Sequence, residues 1–275
     1  MKAGVVSRTD NQDAVDVARK IIETLKEWGV DVMVETDTAL AIKLDDKSTD
    51  INDLEGDFIV NIGGDGTILR TAMNMKNPET PILGVNMGRR GFLSTVIPNE
   101  TEWALHRVLN GDYFIEESIK VRSRCLHLED SFPDALNEVL VASSLPSKML
   151  LMELRVDDEK VAEVQADGAL VSTPAGSTAY NMSAGGSILS PRLEAFVLTA
   201  VCPYSYFKSL VVPSDSKISI EMLKPKADGM VIIDGRSYIA LRPGSTVECF
   251  LSPYKTRFIR FKSFYGRIQR RIIPV

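Results

Sequence analysis

Histidine and cysteine are scarce in this chain, two and three among 275 residues, and their scarcity removes whole classes of chemistry. Cys125, Cys202 and Cys249 are isolated, odd in number and without metal-ligand spacing, so they read as reduced thiols of a cytoplasmic protein. Only His106 and His127 are present, and Cys125 with His127 supplies too few ligands for zinc. No apolar stretch is long enough to span a bilayer, and the start Met1-Lys2-Ala3-Gly4-Val5-Val6 turns polar too soon for a signal peptide, so no membrane partner is expected. Excess positive charge is missing as well: a net charge of −5 and a pI near 5.3 argue against a general nucleic-acid binder. The run Arg257 to Arg271 is locally basic, but the alternation in Thr256-Arg257-Phe258-Ile259-Arg260-Phe261-Lys262 reads as a strand with a charged solvent face.

Two familiar phosphate-binding spellings are absent. No Gly-Lys dipeptide occurs, which removes the lysine that ends a Walker loop, and Leu69 stands where the third glycine of a dinucleotide fingerprint would follow Gly64 and Gly66. What is present is a third kind of glycine turn. In Phe58-Ile59-Val60-Asn61-Ile62-Gly63-Gly64-Asp65-Gly66-Thr67 an apolar strand breaks into three glycines and one carboxylate. Such a turn brings backbone amides to a ligand at a helix N-terminus and suits an anion. A carboxylate beside phosphates is electrostatically disfavoured unless Asp65 holds a metal ion, orients a hydroxyl or takes a proton.

A second cluster runs Asp167-Gly168-Ala169-Leu170-Val171-Ser172-Thr173-Pro174-Ala175-Gly176-Ser177-Thr178-Ala179-Tyr180, then Ser183-Ala184-Gly185-Gly186-Ser187. Its hydroxyls and amides suit the edge of a base or carboxamide, and Tyr180 offers a face for stacking. Between the clusters, Asn137-Glu138 interrupts the otherwise apolar Ala135 to Val141, a break that ordinarily marks a bulge or a solvent face.

Periodicity divides the chain. Strands at Ala3–Val6, Val32–Val34, Phe58–Ile62 and Pro81–Val85 alternate with helices, one of them carrying Ala14, Val17, Ala18, Ile21, Leu25 and Trp28 as a core stripe. That is an α/β domain over residues 1–98 whose glycine turn lies at a strand's carboxyl end, where open sheets bind ligands. Beyond it, short strands separated by Pro, Gly and Asp turns make residues 99–252 a β-rich domain. A ligand touching both domains would meet both clusters.

Together the Gly63 turn, Asn137-Glu138 and the Asp167–Tyr180 segment resemble the NAD kinase family, whose hallmarks are GGDGT, an Asn-Glu or Asn-Asp pair and DG…STPxGSTAY. Gly88-Arg89-Arg90-Gly91-Phe92-Leu93 looks like the family's GxxGFL, and Ile233-Asp234-Gly235 adds a late match. Arg90 stands where relatives more often have an apolar residue, and Pro203 to Lys208 departs from a segment that commonly carries His and Arg, so no role is carried onto it. The resemblance implies a Rossmann-like parallel sheet in the first domain, with residues 253–275 returning to it. It further implies transfer of a phosphoryl group from ATP or inorganic polyphosphate to the 2′-hydroxyl of the adenosine ribose of NAD, with magnesium or another divalent ion.

In that reading Gly63, Gly64, Gly66 and Thr67 hold donor phosphates, and Asp65 orients or deprotonates the hydroxyl. Asn137 and Glu138 bind the adenosine portion and Asp167 a ribose hydroxyl or a nearby group, while Ser177, Thr178, Ala179, Tyr180 and Ser183 take the adenine or nicotinamide ends. A homodimer or homotetramer is implied as well. Two other readings stand beside it: a diacylglycerol- or sphingoid-type lipid kinase, which shares the GGDGT turn, and a non-catalytic NAD sensor.

Overall fold

A computed structural model describes the chain except residues 45–47, 89–90, 127–131, 224–227 and 273–275, so the sequence expectations for His127, Arg89 and Arg90 lie outside the described residues. In chain order the elements are β1 (Lys2–Ser7), α1 (Gln12–Glu27), β2 (Asp31–Glu35), α2 (Thr36–Ile42), β3 (Ser48–Thr49), β4 (Phe58–Gly63), α3 (Asp65–Asn74), β5 (Ile82–Asn86), α4 (Thr101–Leu109) and β6 (Phe114–Cys125). There follow β7 (Glu138–Ser143), β8 (Leu150–Val156), β9 (Glu159–Ala166), β10 (Gly168–Ser172), α5 (Tyr180–Ser183), β11 (Ala195–Val201), β12 (Ser209–Pro213), β13 (Ile218–Met222), β14 (Gly229–Ile233), β15 (Ser237–Leu241), β16 (Thr246–Arg260) and α6 (Phe264–Ile272). The chain folds as two compact units, one of residues 1–117 with 256–275 and the other of residues 118–255.

The first unit is α/β. Its strands pair in parallel in the order β3-β2-β1-β4-β5, and the end of β16 joins the edge, with Phe258 beside Ile82. The order reverses direction between β1 and β4, and such a switch point is where open parallel sheets hold ligands beyond the carboxyl ends of their strands. Gly63 ends β4 there. Helix α1 starts because the Asn11 side chain accepts the Ala14 N–H, and it buries Ala14, Ala18, Ile21, Ile22 and Leu25 against Val5, Val60 and Val34. Trp28 departs from that stripe: it is 37% exposed and meets His106 edge to face, because the helix ends at Glu27 and the indole falls on the rim. The unit extends to Glu117, past the boundary expected after residue 98, because α4 packs Ala104, Leu105 and Val108 into this same core.

A second departure concerns Arg260. Alternation places it on a charged solvent face, yet its side chain is 1% exposed, while Thr256, Phe258 and Ile259 are buried around it. Arg257, half-exposed between Glu79 and Glu117, and the exposed Lys262 follow the expected pattern.

The second unit is β-rich and antiparallel. One sheet runs β12-β11-β10-β7-β14-β15, and the other is built from β16, β13, β8 and β9. Leu140, Leu170 and Val201 form a local core with Ala142, Ala184 and Ile232 packed against it. Among the described residues no helix is long and apolar enough to cross a membrane.

The glycine-turn helix α3 is tied to its surroundings by polar contacts. Asn61, fully buried in β4, donates to Thr71 Oγ1 at 2.6 Å. Arg70 reaches Glu35, whose other carboxylate oxygen accepts the Thr38 N–H and hydroxyl at the start of α2. Burial alone would push the Glu35 carboxyl up, but Arg70 and Thr38 outweigh it and hold it below its ordinary range. A carboxylate held low lends stability above its unfolded pKa and loses it as the pH falls through the folded one. Glu35→Gln is therefore expected to cost about 1–3 kcal/mol near neutral pH, with a smaller deficit at about pH 3; urea midpoints at the two pH values check it.

Candidate active site

In the first unit the site is built around Asp65. Gly64 occupies the N-cap of α3 and gives no side-chain cap, so the first turn of the helix faces outward from the sheet's carboxyl edge uncovered by its own cap residue. Asp65 points back toward the segment after β5. Its Oδ2 accepts the Phe92 N–H at 2.6 Å, and its Oδ1 accepts the Leu93 N–H at 3.1 Å and the Ser94 N–H and hydroxyl at 3.2 Å each. Oδ1 is thus saturated, while Oδ2 accepts one N–H among the described residues. Gly91 is required by this closure, since a Cβ there would sit 2.5 Å from Asp65 Oδ1 and 2.6 Å from Ser94 Oγ. The two glycine motifs, read separately in the sequence, are halves of one carboxylate cradle.

In the second unit the site is built around Asp234, for which the sequence suggested no role. Asp234 and Gly235 form a tight turn between β14 and β15, both with positive φ (49° and 64°), and Arg236 N bonds Ile233 O at 2.9 Å. The Asp234 carboxylate aims inward and accepts three successive amides, from Leu136 at 2.8 Å, Asn137 at 2.8 Å and Glu138 at 3.0 Å. Asn137 and Glu138 are both buried, contrary to the bulge or solvent face that a polar break suggests. Glu138 Oε2 is buried and bonds no group among the described residues, and a buried polar group left so in a folded protein calls for a partner from outside.

The segment after β10 wraps the same strand end. Thr173 N bonds Asn137 O at 2.9 Å, and Gly176 lies so close that a Cβ would stand 2.1 Å from Asn137 O. Ser177 is a brace: its hydroxyl donates to Pro174 O at 2.6 Å and accepts Leu189 N at 2.9 Å. Thr178 donates to Ala175 O, so the hydroxyls of Ser177 and Thr178 both donate to carbonyls of their own loop. Asn181, unremarked in the sequence, is fully buried and links Ser177 O, Ser187 O and the Thr199 hydroxyl. Ala179 leads into α5, where Tyr180 is 41% exposed and Ser183 is exposed.

Tyr180 and Asp167 share a cleft of about 420 Å³ with Gly168, Val201 and the loop Ser143–Lys148. That is the scale of a small-molecule site. Burial raises the Tyr180 phenol, and Cys202, Asp167 and Glu138 add to the effect, which places this ring amid the acidic groups of the site. The loop Ser143–Lys148 carries no signal in the sequence beyond its small and polar residues.

A model of the ATP-NAD kinase N-terminal domain matches residues 3–113, and one of the ATP-NAD kinase C-terminal domain matches residues 136–261. The chain belongs to the NAD kinase family. It is 42% identical over 276 residues to the NAD kinase of Thermococcus kodakarensis and 39% identical to that of Pyrococcus furiosus, with 99% of each chain covered in both cases. The crystal structure of an NAD kinase from Archaeoglobus fulgidus in complex with ATP aligns with a TM-score of 0.78 at 32% identity, over 98% of this chain and 99% of that one. Yeast NADH kinase complexed with NADH gives a TM-score of 0.88 over 97% of this chain and 85% of that one; at 21% identity it speaks for the fold. Membership in the NAD kinase family makes this chain a phosphotransferase.

A divalent ion does not find a ready-made protein site: no group of three or more His, Cys, Asp or Glu among the described residues is placed to hold one, and the Asp65 carboxylate is largely taken up by N–H donors. Among the described residues, none form a group that fits a protein-held metal ion.

Glu138 gives the second unit a pH signature. Burial, then the Asp234 charge, raises its carboxyl to about 8. Burial also pushes Asp234 up, but three amides and Lys120 draw it back, so the proton of the pair resides on Glu138. The folded chain then binds a proton that the unfolded chain releases above the ordinary carboxylate range, so stability falls as the pH rises toward 8. In that window the slope is on the order of 1.4 kcal/mol per pH unit, and Glu138→Gln is expected to flatten it; urea midpoints from about pH 5 to about pH 9 make the comparison.

Proposed function

We propose that the protein transfers the terminal phosphoryl group of ATP to the 2′-hydroxyl of the adenosine ribose of NAD, giving NADP. The observation that carries this reading is the Asp65 carboxylate, fixed by backbone amides at the start of a phosphate-turn helix with Oδ2 accepting one N–H among the described residues. A carboxylate so held orients the acceptor hydroxyl and takes its proton on Oδ2 as the ribose oxygen bonds to phosphorus and the bond to the departing diphosphate breaks. Phosphoryl transfer depends on such positioning and on charge neutralisation more than on covalent help. Gly63, Gly64, Gly66 and Thr67 carry the donor phosphates on the α3 N-terminus.

The acceptor groups come from the second unit. Asn137 offers both donor and acceptor to the adenosine, and a protonated Glu138 is a donor as well. Asp167 takes a ribose hydroxyl, Tyr180 stacks, and Ser177, Thr178, Ala179 and Ser183 supply the walls. This polar lining favours a dinucleotide over the acyl chain of a lipid, and an amide-held carboxylate has no task in a sensor without turnover. Magnesium enters in our reading with the donor, bound by its phosphates and by water. Polyphosphate remains an alternative donor, a homodimer or homotetramer the proposed assembly, and the cytoplasm the proposed compartment for free Cys125, Cys202 and Cys249.

NADP formation from NAD with magnesium and either ATP or polyphosphate tests the reading, and a folded protein inactive with both donors sinks it. Asp65→Asn keeps an oxygen for the amide cradle but sets an NH₂ against one N–H and takes no proton. Turnover is expected to fall by roughly two to four orders of magnitude, with a smaller change in NAD affinity. Because Tyr180 is 41% exposed, Tyr180→Ala should leave the denaturant midpoint nearly unchanged. Calorimetric titration should show NAD binding weakened by about 0.5–1.5 kcal/mol, the worth of a stacked ring.

A further inference from the structure

Arg260 ends β16 and is among the largest fully buried side chains of the protein. Burying a guanidinium is costly unless its donors are taken up. Here Nε donates to Glu116 Oε1 at 2.9 Å, and Nη1 donates to the Leu93 carbonyl at 2.6 Å. The second oxygen of Glu116 is held by Arg267 of α6. Burial, and next the nearby Arg267, lower Arg260 to about 10, with Glu116 and Asp65 opposing them, so the group stays cationic at neutral pH.

An ion pair that only fastened β16 to β6 would need nothing beyond Glu116. The contact with Leu93 has a different destination. Leu93 is the middle residue of the three whose amides grip Asp65, and its own N–H lies 3.1 Å from Asp65 Oδ1. Arg260 therefore holds by its carbonyl the same short segment that holds Asp65 by its amides. We infer that Arg260 is a positioning residue for Asp65: anchored on Glu116, it fixes the Phe92–Ser94 segment so that the amides stay aimed at the carboxylate. This inference rests on the proposed role of Asp65 toward the acceptor hydroxyl, and Arg260 itself touches neither donor nor acceptor in it.

Arg260→Met and Arg260→Lys, each alone and combined with Asp65→Asn, provide the test. The lysine keeps a charge beside Glu116 but lacks the second donor that reaches the Leu93 carbonyl, so it carries the same readings should the methionine variant fail to fold. In the otherwise wild-type chain either change should lower kcat by about tenfold to a hundredfold with the KM for NAD within about twofold, the signature of a misplaced reacting group. In the Asp65→Asn background the same change should alter kcat by less than about threefold, because a residue acting through Asp65 has nothing left to position. Hydrogen exchange of the ligand-free protein should show the Phe92, Leu93 and Ser94 amides exchanging about tenfold faster while those of β1 and β4 hold their protection. Equal losses of kcat in both backgrounds, or unchanged exchange at those three amides, would overturn the inference while leaving the proposed function standing. A wild-type chain that makes no NADP would remove that function and this inference with it.

Discussion

A carboxylate held at the N-terminus of α3, where the proposed reaction sets phosphates, is the constraint on which the surroundings of the glycine turn depend. Asp65 opens the helix proposed to receive the phosphates, and Coulomb repulsion would drive an unsupported carboxylate away. Four hydrogen bonds from Phe92, Leu93 and Ser94 hold it in place. Everything near the turn serves that arrangement: the absence of a side chain at Gly91, the buried Asn61 that locks α3 to β4, and the Glu35–Arg70 pair that fixes the outer face of α3. The sheet contributes the location, a reversal of strand order between β1 and β4 beside the carboxyl end of β4.

The second unit meets a related difficulty with the opposite solution. Asp234 is buried and takes three backbone amides, so its charge is satisfied by the chain itself. Glu138 lies in its field with an unbonded oxygen, and holding a proton relieves the conflict. One carboxylate is thereby an acceptor that shapes the strand end, and its neighbour becomes a donor. A pair of like residues thus presents two different faces to a ligand, as environment alone dictates.

Much of this was legible in the sequence because it depends on local pattern. The α1 stripe, the strand-to-turn break at Gly63 and the short strands of the β-rich part all follow from spacing and turn residues. What escaped depends on distant partners. Arg260 sits in an alternating strand and reads as solvent-facing, since nothing local announces that Glu116 and Leu93 will enclose it. Asp234 reads as a hairpin residue, and so it is, but its inward aim is set by β7. Asn137-Glu138 looked like a surface break for the same reason. The hydroxyls of Ser177 and Thr178 suggested ligand contacts because their own loop's carbonyls, which claim them, cannot be counted from composition.

Sequence distance has a further consequence for how the protein comes into being. The amides of Leu136, Asn137 and Glu138 wait on a carboxylate nearly a hundred residues downstream, and the Leu93 carbonyl waits on a guanidinium 167 residues later. A ribosome therefore releases nearly the whole polypeptide before either centre can close, and contacts of such long range form late in folding. Nascent or prematurely terminated chains carry the GGDGT turn without its finished carboxylate cradle.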